Sequence, residues 1–193
     1  MSGSSRVAVS LRSLGYEVLL WEEPGEEPEQ AEKRFMDVVP ALARHEKGRL
    51  RLYRHQLDSV EALIAGMNVV LTARTGSGKT EAWALAALRE GWRVLAVYPT
   101  LALAADQIRR LEEYYGAAGY PGTVVRIDRP SIEKKGRRGE EILKLVSSAR
   151  VVVTNPAFLL AEMKRLALYP HRAILEDFIS SLDMIVFDEL DNC

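Results

Sequence analysis

Residues 69–80, VVLTARTGSGKT, join a short apolar stretch to a glycine-rich turn that ends in a lysine and a threonine. Such a turn lets main-chain N–H groups face a phosphate, while the lysine contacts the β and γ groups and the hydroxyl ligates Mg²⁺. An apolar strand is predicted at residues 69–71. The spacing of Trp83, Leu85 and Leu88 predicts a helix after the turn, with its positive N-terminal end towards the same anion.

The loop departs from the pattern G-x-x-x-x-G-K-[ST] at one position, where Ala73 stands in place of the first glycine. Its place between a predicted strand and a predicted helix still favours a nucleotide site over an ordinary flexible turn. Lys79 is the predicted catalytic cation, and Thr80 is a predicted Mg²⁺ ligand. The predicted cofactor-binding residues of the loop are Arg74, Thr75, Gly76, Ser77, Gly78, Lys79 and Thr80.

The composition predicts an α/β domain and excludes several other classes of protein. The 193 residues are 48% hydrophobic and carry a net charge of -1, which allows a proper core and neither demands nor excludes nucleic acid. The only cysteine is Cys193, so a disulfide framework is excluded and a reducing, cytoplasmic compartment is expected. No apolar run approaches the roughly 20 residues that span a bilayer, so we expect no membrane partner.

The chain before the loop is predicted to contain two regions. Residues 1–48 are interpreted as an N-terminal extension, and residues 49–193 as the nucleotide-binding domain. A strand is expected at residues 16–21, and the acidic, proline-containing segment at residues 21–32 is interpreted as a solvated linker. Apolar spacing predicts an amphipathic helix at residues 31–43, interrupted by a proline.

Just over twenty residues before the lysine of the loop, YRHQ at residues 53–56 opens another predicted helix, which Gly66 ends. The side-chain amide of Gln56 offers both a donor and an acceptor, so it can pair with N6 and N7 of adenine. From the residue alone, ordinary polar surface at a helix start is the more usual interpretation.

Two predicted strands beyond the loop end in the same way, with a hydroxyl, a proline and a following helix. They are the apolar runs at residues 93–98 and 150–154. Ligands bind at the carboxyl ends of strands in open α/β sheets, so these ends are candidate ligand contacts. Thr100 is also a candidate helix cap. The candidate positions are Pro99, Thr100, Thr154, Asn155 and Pro156.

A last apolar strand is predicted at residues 184–187, directly before Asp188 and Glu189. Phosphoryl transfer needs two such carboxylates, because one holds Mg²⁺ through its water shell while the other orients and polarises the attacking water. An Asp-Glu pair at a strand end is common in itself. The apolar strand before it and the phosphate loop upstream favour Asp188 as a catalytic residue and metal ligand, and Glu189 as a catalytic residue. The basic cluster at residues 134–138 is either a phosphate contact or a solvated loop.

Taken in order, these motifs resemble those of the DExD/H-box helicases of superfamily 2. The matching segments are YRHQ (53–56, Q motif), ARTGSGKT (73–80, motif I), PTLALAADQ (99–107, motif Ia), TNPAFLL (154–160, a strand-binding motif) and DELD (188–191, motif II). The family tolerates alanine at the first loop position. The resemblance covers roughly residues 50–193 and implies an α/β fold: a three-layer, RecA-like P-loop NTPase domain with a mainly parallel central sheet.

The resemblance also implies a function. Gln56 would contact the adenine of ATP, with Mg²⁺ as the second cofactor, and the strand ends would contact the backbone of single-stranded DNA or RNA. In this family a second RecA-like domain supplies arginine fingers and half of the nucleic-acid groove. We therefore expect the ATP-binding motor domain of a helicase or translocase, a nucleic-acid-stimulated ATPase. The alternatives are a non-helicase P-loop NTPase and a catalytically idle nucleic-acid-binding fragment or scaffold.

Overall fold

The computed structural model describes residues 9, 11–15, 18–22, 29–73, 76–129, 139–170 and 173–188. The chain divides into two compact units, residues 1–90 and residues 91–193. Each of the helices in the described ranges is too short or too polar to cross a membrane.

The first unit consists of short strands and helices around the phosphate loop. Its elements are β1 (Val18–Glu22), β2 (Gln30–Arg34), α1 (Phe35–Val38), β3 (Arg51–Tyr53), α2 (Arg54–Ile64), β4 (Asn68–Thr72) and α3 (Lys79–Glu90). β1 pairs in parallel with β4, the strand that leads into the loop. β2 pairs antiparallel with β3, which runs directly into α2. Both pairings join a strand before residue 48 to a strand after it. The domain boundary expected after residue 48 stays a prediction.

The helix after the loop is buried along most of its length. Every residue from Thr80 to Leu88 is buried, and α2 packs against α3 within this unit. Four alanines in this stretch favour the helix and allow its neighbours to approach closely. The predicted strand before the loop and the predicted helix after it are therefore confirmed as β4 and α3. Gly66, which follows α2, has φ +81°, a conformation that a glycine adopts at little cost.

The helix predicted at residues 31–43 is wrong. The first part of that range is β2, because its main chain pairs with β3, a partner that helical periodicity does not reveal. Only four residues, Phe35–Val38, form the α-helix, and Pro40 opens a separate 3-10 turn, Pro40–Arg44. The apolar positions of the pattern are nevertheless buried: they are Phe35, Val38, Val39 and Leu42.

The second unit is built on a parallel sheet. Its elements are β5 (Val94–Val97), α4 (Leu101–Ala117), β6 (Val124–Arg126), α5 (Gly139–Ser148), β7 (Val151–Thr154), α6 (Pro156–Leu168), α7 (Glu176–Ser180) and β8 (Met184–Phe187). The strand order is β6-β7-β5-β8, and each neighbouring pair is parallel. The predicted α/β class and parallel sheet are confirmed.

The two central strands carry the core of this unit. All residues of β5 and β7 are buried, as expected for parallel strands whose runs are apolar without alternation. Helices α5, α6 and α7 contribute to the same cluster. Its members include Leu95, Val97, Val125, Ile142, Val146, Val152, Phe158, Leu175 and Phe178.

A buried carboxylate fixes the segment before α7. Glu162 of α6 is 0% exposed, and its Oε2 accepts hydrogen bonds from the main-chain N–H of Ile174 at 2.6 Å and of Leu175 at 3.3 Å. The guanidinium of Arg165 bonds the other carboxylate oxygen. Buried charges are tolerated in proteins when they are hydrogen-bonded and paired in this way. Glu162 therefore ties α6 to the start of α7.

We predict that Glu162→Ala destabilises the fold. The substitution removes charge-assisted hydrogen bonds and leaves two main-chain N–H groups near the core without their acceptor, at a cost of about 2 kcal/mol or more in the free energy of unfolding. Urea unfolding followed by circular dichroism measures this change. Lys164→Ala is the control, because Lys164 is exposed and lies two residues after Glu162 in the same helix. Equal urea midpoints for the two variants would contradict the structural role of Glu162.

Candidate functional site

The phosphate loop uses its glycines in two different ways. Gly76 and Gly78 have φ +85° and +81°, a region that other residues seldom adopt. Gly76 has open space where a side chain would start, whereas a Cβ on Gly78 would lie 2.1 Å from Nε2 of Gln56. Alanine at position 78 would therefore have to displace the Gln56 amide as well as adopt a strained conformation.

Three side chains donate hydrogen bonds to main-chain carbonyl oxygens of the loop. Gln56 Nε2 donates to the oxygen of Gly78 at 3.0 Å, and His55 Nε2 lies 3.1 Å from the oxygen of Ser77. Lys79 Nζ donates to the oxygen of Ala73 at 2.7 Å, so its ammonium folds back across the loop. The loop in this structure is thus bonded to the start of α2 and to its own lysine.

Gln56 is 3% exposed, and both ends of its amide contact the main chain. Its Oε1 accepts from the N–H of Tyr53 at 2.9 Å, while Nε2 bonds the loop. The predicted adenine contact stays a prediction, because it requires the amide to exchange at least one of these partners. The structure does bring Gln56 to the loop.

The chemistry of the loop suits a polyphosphate. Lys79 supplies an ammonium, Thr80 a buried hydroxyl, and the first turn of α3 its main-chain N–H groups. These groups carry or can donate protons, and the helix N-terminus is electropositive. Ser77 Oγ is also buried and has no hydrogen-bond partner in the described part of the chain. The residues present therefore fit the phosphate groups of a nucleotide.

An ion pair beside the loop was not predicted from the sequence. Glu81, in the first turn of α3, is 3% exposed, and its Oε1 lies 3.2 Å from Nζ of Lys47. Lys47 belongs to a 3-10 turn, Glu46–Arg49. A glutamate directly after the Lys-Thr pair was visible in the sequence, but its partner, 34 residues upstream, has no local signature.

Several predicted site residues lie outside the described residues. They are Arg74, Thr75 and Glu189, together with the basic cluster at residues 134–138. Their predicted roles stay predictions. Asp188 is described, at the end of β8, and the loop belongs to the first unit while Asp188 belongs to the second.

The sheet of the second unit brings the other predicted positions to one edge. β5 lies between β7 and β8, and Val97 is opposite Thr154 on one side and Phe187 on the other. Carboxyl ends of parallel strands share an edge, so the residues that follow these strands are neighbours. The N–H of Asp188 continues the ladder by donating to the oxygen of Val97 at 3.0 Å. The two strands that lead into the proline-containing segments are therefore neighbours.

The hydroxyl and amide groups at this edge differ in accessibility. Thr154 is 0% exposed, and its Oγ1 has no hydrogen-bond partner in the described ranges. Asn155 is half-buried and caps α6, because its Oδ1 accepts from the N–H of Phe158 at 2.8 Å. Thr100 is exposed at the N-cap of α4, but its side chain makes no capping hydrogen bond. Pro99 is half-buried and Pro156 exposed.

Comparison with known proteins identifies relatives among helicases. The profile of the family described as DEAD/DEAH box helicase matches residues 53–193. The chain is similar to the ATP-dependent helicase HRQ1 of Saccharomyces cerevisiae, strain ATCC 204508 / S288c, at 30% identity over 152 residues. That alignment covers 72% of this chain and 12% of the relative's length.

Two solved structures share the fold. One is the DUF1998 helicase MrfA bound to DNA and AMPPNP, with a TM-score of 0.61 and 26% identity, covering 97% of this chain and 26% of that chain. The other is a hypothetical ATP-dependent RNA helicase from Sulfolobus tokodaii, with a TM-score of 0.59 and 24% identity, covering 80% of this chain and 41% of that chain. The second supports the fold alone.

We predict that Gly78→Ala weakens nucleotide binding far more than Gly66→Ala does. Both glycines have φ +81°, so each alanine adds about 1–2 kcal/mol of backbone strain. Only Gly78 lies against another group, and the new methyl would force the Gln56 amide off the loop. Calorimetric titration with Mg-ATP measures the difference. If both variants bind Mg-ATP equally well, the close approach at Gly78 has no bearing on the nucleotide.

Proposed function

The chain belongs to the DEAD/DEAH box helicase family, and from that premise we propose that it is the ATP-binding motor domain of a nucleic-acid helicase or translocase. The observation that supports the proposal is the loop between β4 and α3, which carries Lys79 and Thr80 and closely approaches α2 at Gly78, an arrangement that suits phosphate groups. In the longer protein this domain would couple ATP hydrolysis to unwinding or movement. A non-helicase P-loop NTPase is not favoured by the family match.

The proposed cofactors are ATP and Mg²⁺. Lys79 would contact the β- and γ-phosphates, and the remaining residues of the loop would bind through their N–H groups. Mg²⁺ would neutralise charge that develops on the phosphates, with Thr80 and Asp188 as its protein ligands. We keep Glu189 as the residue that orients the attacking water. The structure of MrfA bound to DNA and AMPPNP supports ATP use by analogy.

The proposed partner is single-stranded DNA or RNA, along the edge where β5 and β7 end. MrfA was crystallised bound to DNA, which supports this class of partner. Thr100, Asn155 and Pro156 offer at least partly accessible groups there, whereas the hydroxyl of Thr154 is fully buried. Contacts of hydroxyl, amide and main-chain groups to phosphate carry no base specificity. We also retain a cytoplasmic compartment as a prediction.

We propose that a second RecA-like domain completes the catalytic site. The chain spans 12% of the curated relative's length and 26% of MrfA. An arginine finger is worth on the order of 10³ to 10⁵ in rate in P-loop enzymes. The second domain would supply that charge and the other half of the nucleic-acid groove.

We predict that Lys79→Ala weakens Mg-ATP binding by about 10- to 100-fold. The substitution removes a charge-assisted hydrogen bond to the phosphates, which is worth about 1.5–3 kcal/mol. Isothermal titration calorimetry measures the dissociation constant. Arg89→Ala, which removes an exposed cation from the last turn of the same helix, is the matched control. An unchanged dissociation constant for Lys79→Ala would remove the loop from the nucleotide site.

A second prediction concerns turnover by the 193-residue chain alone. We expect it to bind Mg-ATP but to hydrolyse it on the order of 10³-fold or more slowly than the complete protein, because no arginine finger from a facing domain acts on the γ-phosphoryl group. Steady-state phosphate release with and without single-stranded DNA or RNA is the measurement. Rapid turnover that nucleic acid stimulates would refute the need for a second domain. Binding without turnover even in the complete protein would instead favour the idle scaffold.

A further inference from the structure

Two consecutive side chains at the start of α2 bond two consecutive carbonyl groups of the phosphate loop. His55 Nε2 lies 3.1 Å from the oxygen of Ser77, and Gln56 Nε2 lies 3.0 Å from the oxygen of Gly78. A carbonyl oxygen can only accept, so Nε2 of His55 must carry the proton that makes this hydrogen bond. His55 is 3% exposed, and the bond is therefore shielded from water.

The direction of a carbonyl group fixes the direction of the N–H group in the same peptide. Both peptides, Ser77–Gly78 and Gly78–Lys79, are trans, and in a planar trans peptide C=O and N–H point in opposite directions. When His55 bonds the Ser77 carbonyl, the N–H of Gly78 points away from α2. Gln56 bonds the Gly78 carbonyl in the same way, so the N–H of Lys79 in that peptide also points away from α2. N–H groups of this loop are the ones expected to bind phosphate.

We propose that His55 is a positioning residue for the phosphate loop. Its Nε2–H bonds the Ser77 carbonyl, and this bond directs the Gly78 N–H towards the bound polyphosphate. The role rests on the proposed function, because it presumes that the loop binds the phosphates of a nucleotide. It is separate from adenine recognition, which needs a side chain that reaches the base. His55 acts through the main chain of the loop.

A packing role is the competing explanation, and the structure defines how to separate the two. The imidazole stacks on the ring of Tyr53, with centroids 5.7 Å apart and planes 14° from parallel. A phenyl ring at position 55 would preserve this stacking and lack the donor. A glutamine would lack the ring and place an amide N–H near the position of Nε2. The two roles therefore predict opposite orders for His55→Phe and His55→Gln.

Inorganic pyrophosphate with Mg²⁺ is the probe, because it reports on the loop without adenine. We expect His55→Phe to bind Mg-pyrophosphate about 10-fold more weakly than the wild type, since a misdirected N–H forfeits a hydrogen bond to an anion. His55→Gln should lie within about threefold of the wild type. Isothermal titration calorimetry on the whole chain measures these dissociation constants.

Ser59→Ala is the matched control for stability. Ser59 is buried one turn further along α2, and its hydroxyl donates to the main-chain oxygen of His55 at 2.7 Å. The variant thus removes a buried hydrogen bond from the same helix without changing a donor to the loop. We expect its Mg-pyrophosphate affinity to match the wild type. If Ser59→Ala loses as much affinity as His55→Phe, the effect is general destabilisation and the positioning role is refuted.

The remaining outcomes separate the positioning role from the proposed function. A wild-type chain that binds neither Mg-pyrophosphate nor Mg-ATP overturns the proposed function and this role with it. Wild-type affinity in His55→Phe overturns the positioning role alone. The ¹⁵N resonances of His55 in the wild type give a test that does not depend on variants. They should show a proton on Nε2, and a ring protonated only on Nδ1 would refute the proposal.

Discussion

The hydrogen bond between the Gln56 amide and the Gly78 carbonyl ties the helix before the loop to the loop itself. The amide nitrogen lies 3.0 Å from that oxygen, so a side chain at position 78 would displace the amide, and the other end of the amide accepts from the N–H of Tyr53. Tyr53 ends β3, which pairs with β2. The loop is thus connected through one side chain to a strand pair that begins at Gln30, and changes in that pair would reach the phosphate site.

In the second unit, strand register brings the candidate nucleic-acid contacts and Asp188 together. β5 pairs with β7 and β8 so that Val97, Thr154 and Phe187 lie side by side. Helix α4 begins after Thr100, which follows β5, and α6 begins after Asn155, which follows β7. Asp188 follows β8. The main-chain hydrogen bonds between the strands are enough to bring the carboxyl ends of β5, β7 and β8 together. The candidate positions at these ends therefore need no long-range side-chain contact to become neighbours. Substitutions at the edge can therefore change chemistry without changing topology.

The sequence predicted those parts whose signals are local. The apolar runs of β5, β7 and β8 and the helix after the glycine-rich turn are each specified by adjacent residues, and each is confirmed. β2 was missed because its identity as a strand depends on pairing with β3. The bonds of His55 to Ser77 and of Lys47 to Glu81 join residues 22 and 34 positions apart. Such contacts depend on how helices pack, and periodicity carries no information about that.

The electrostatics of the loop also depend on residues that precede the family match. Glu81 places a carboxylate in the first turn of α3, where it stabilises the helix dipole but would repel a polyphosphate. Its burial strengthens that repulsion, because interactions between charges grow as water is excluded. Lys47 lies 3.2 Å away and offsets the negative charge. The family match begins at residue 53, so the 3-10 turn that carries Lys47 contributes to the charge balance at the loop from outside the matched region. The segment before residue 53 is therefore coupled to the chemistry of the loop by charge, as well as by the pairing of β1 with β4.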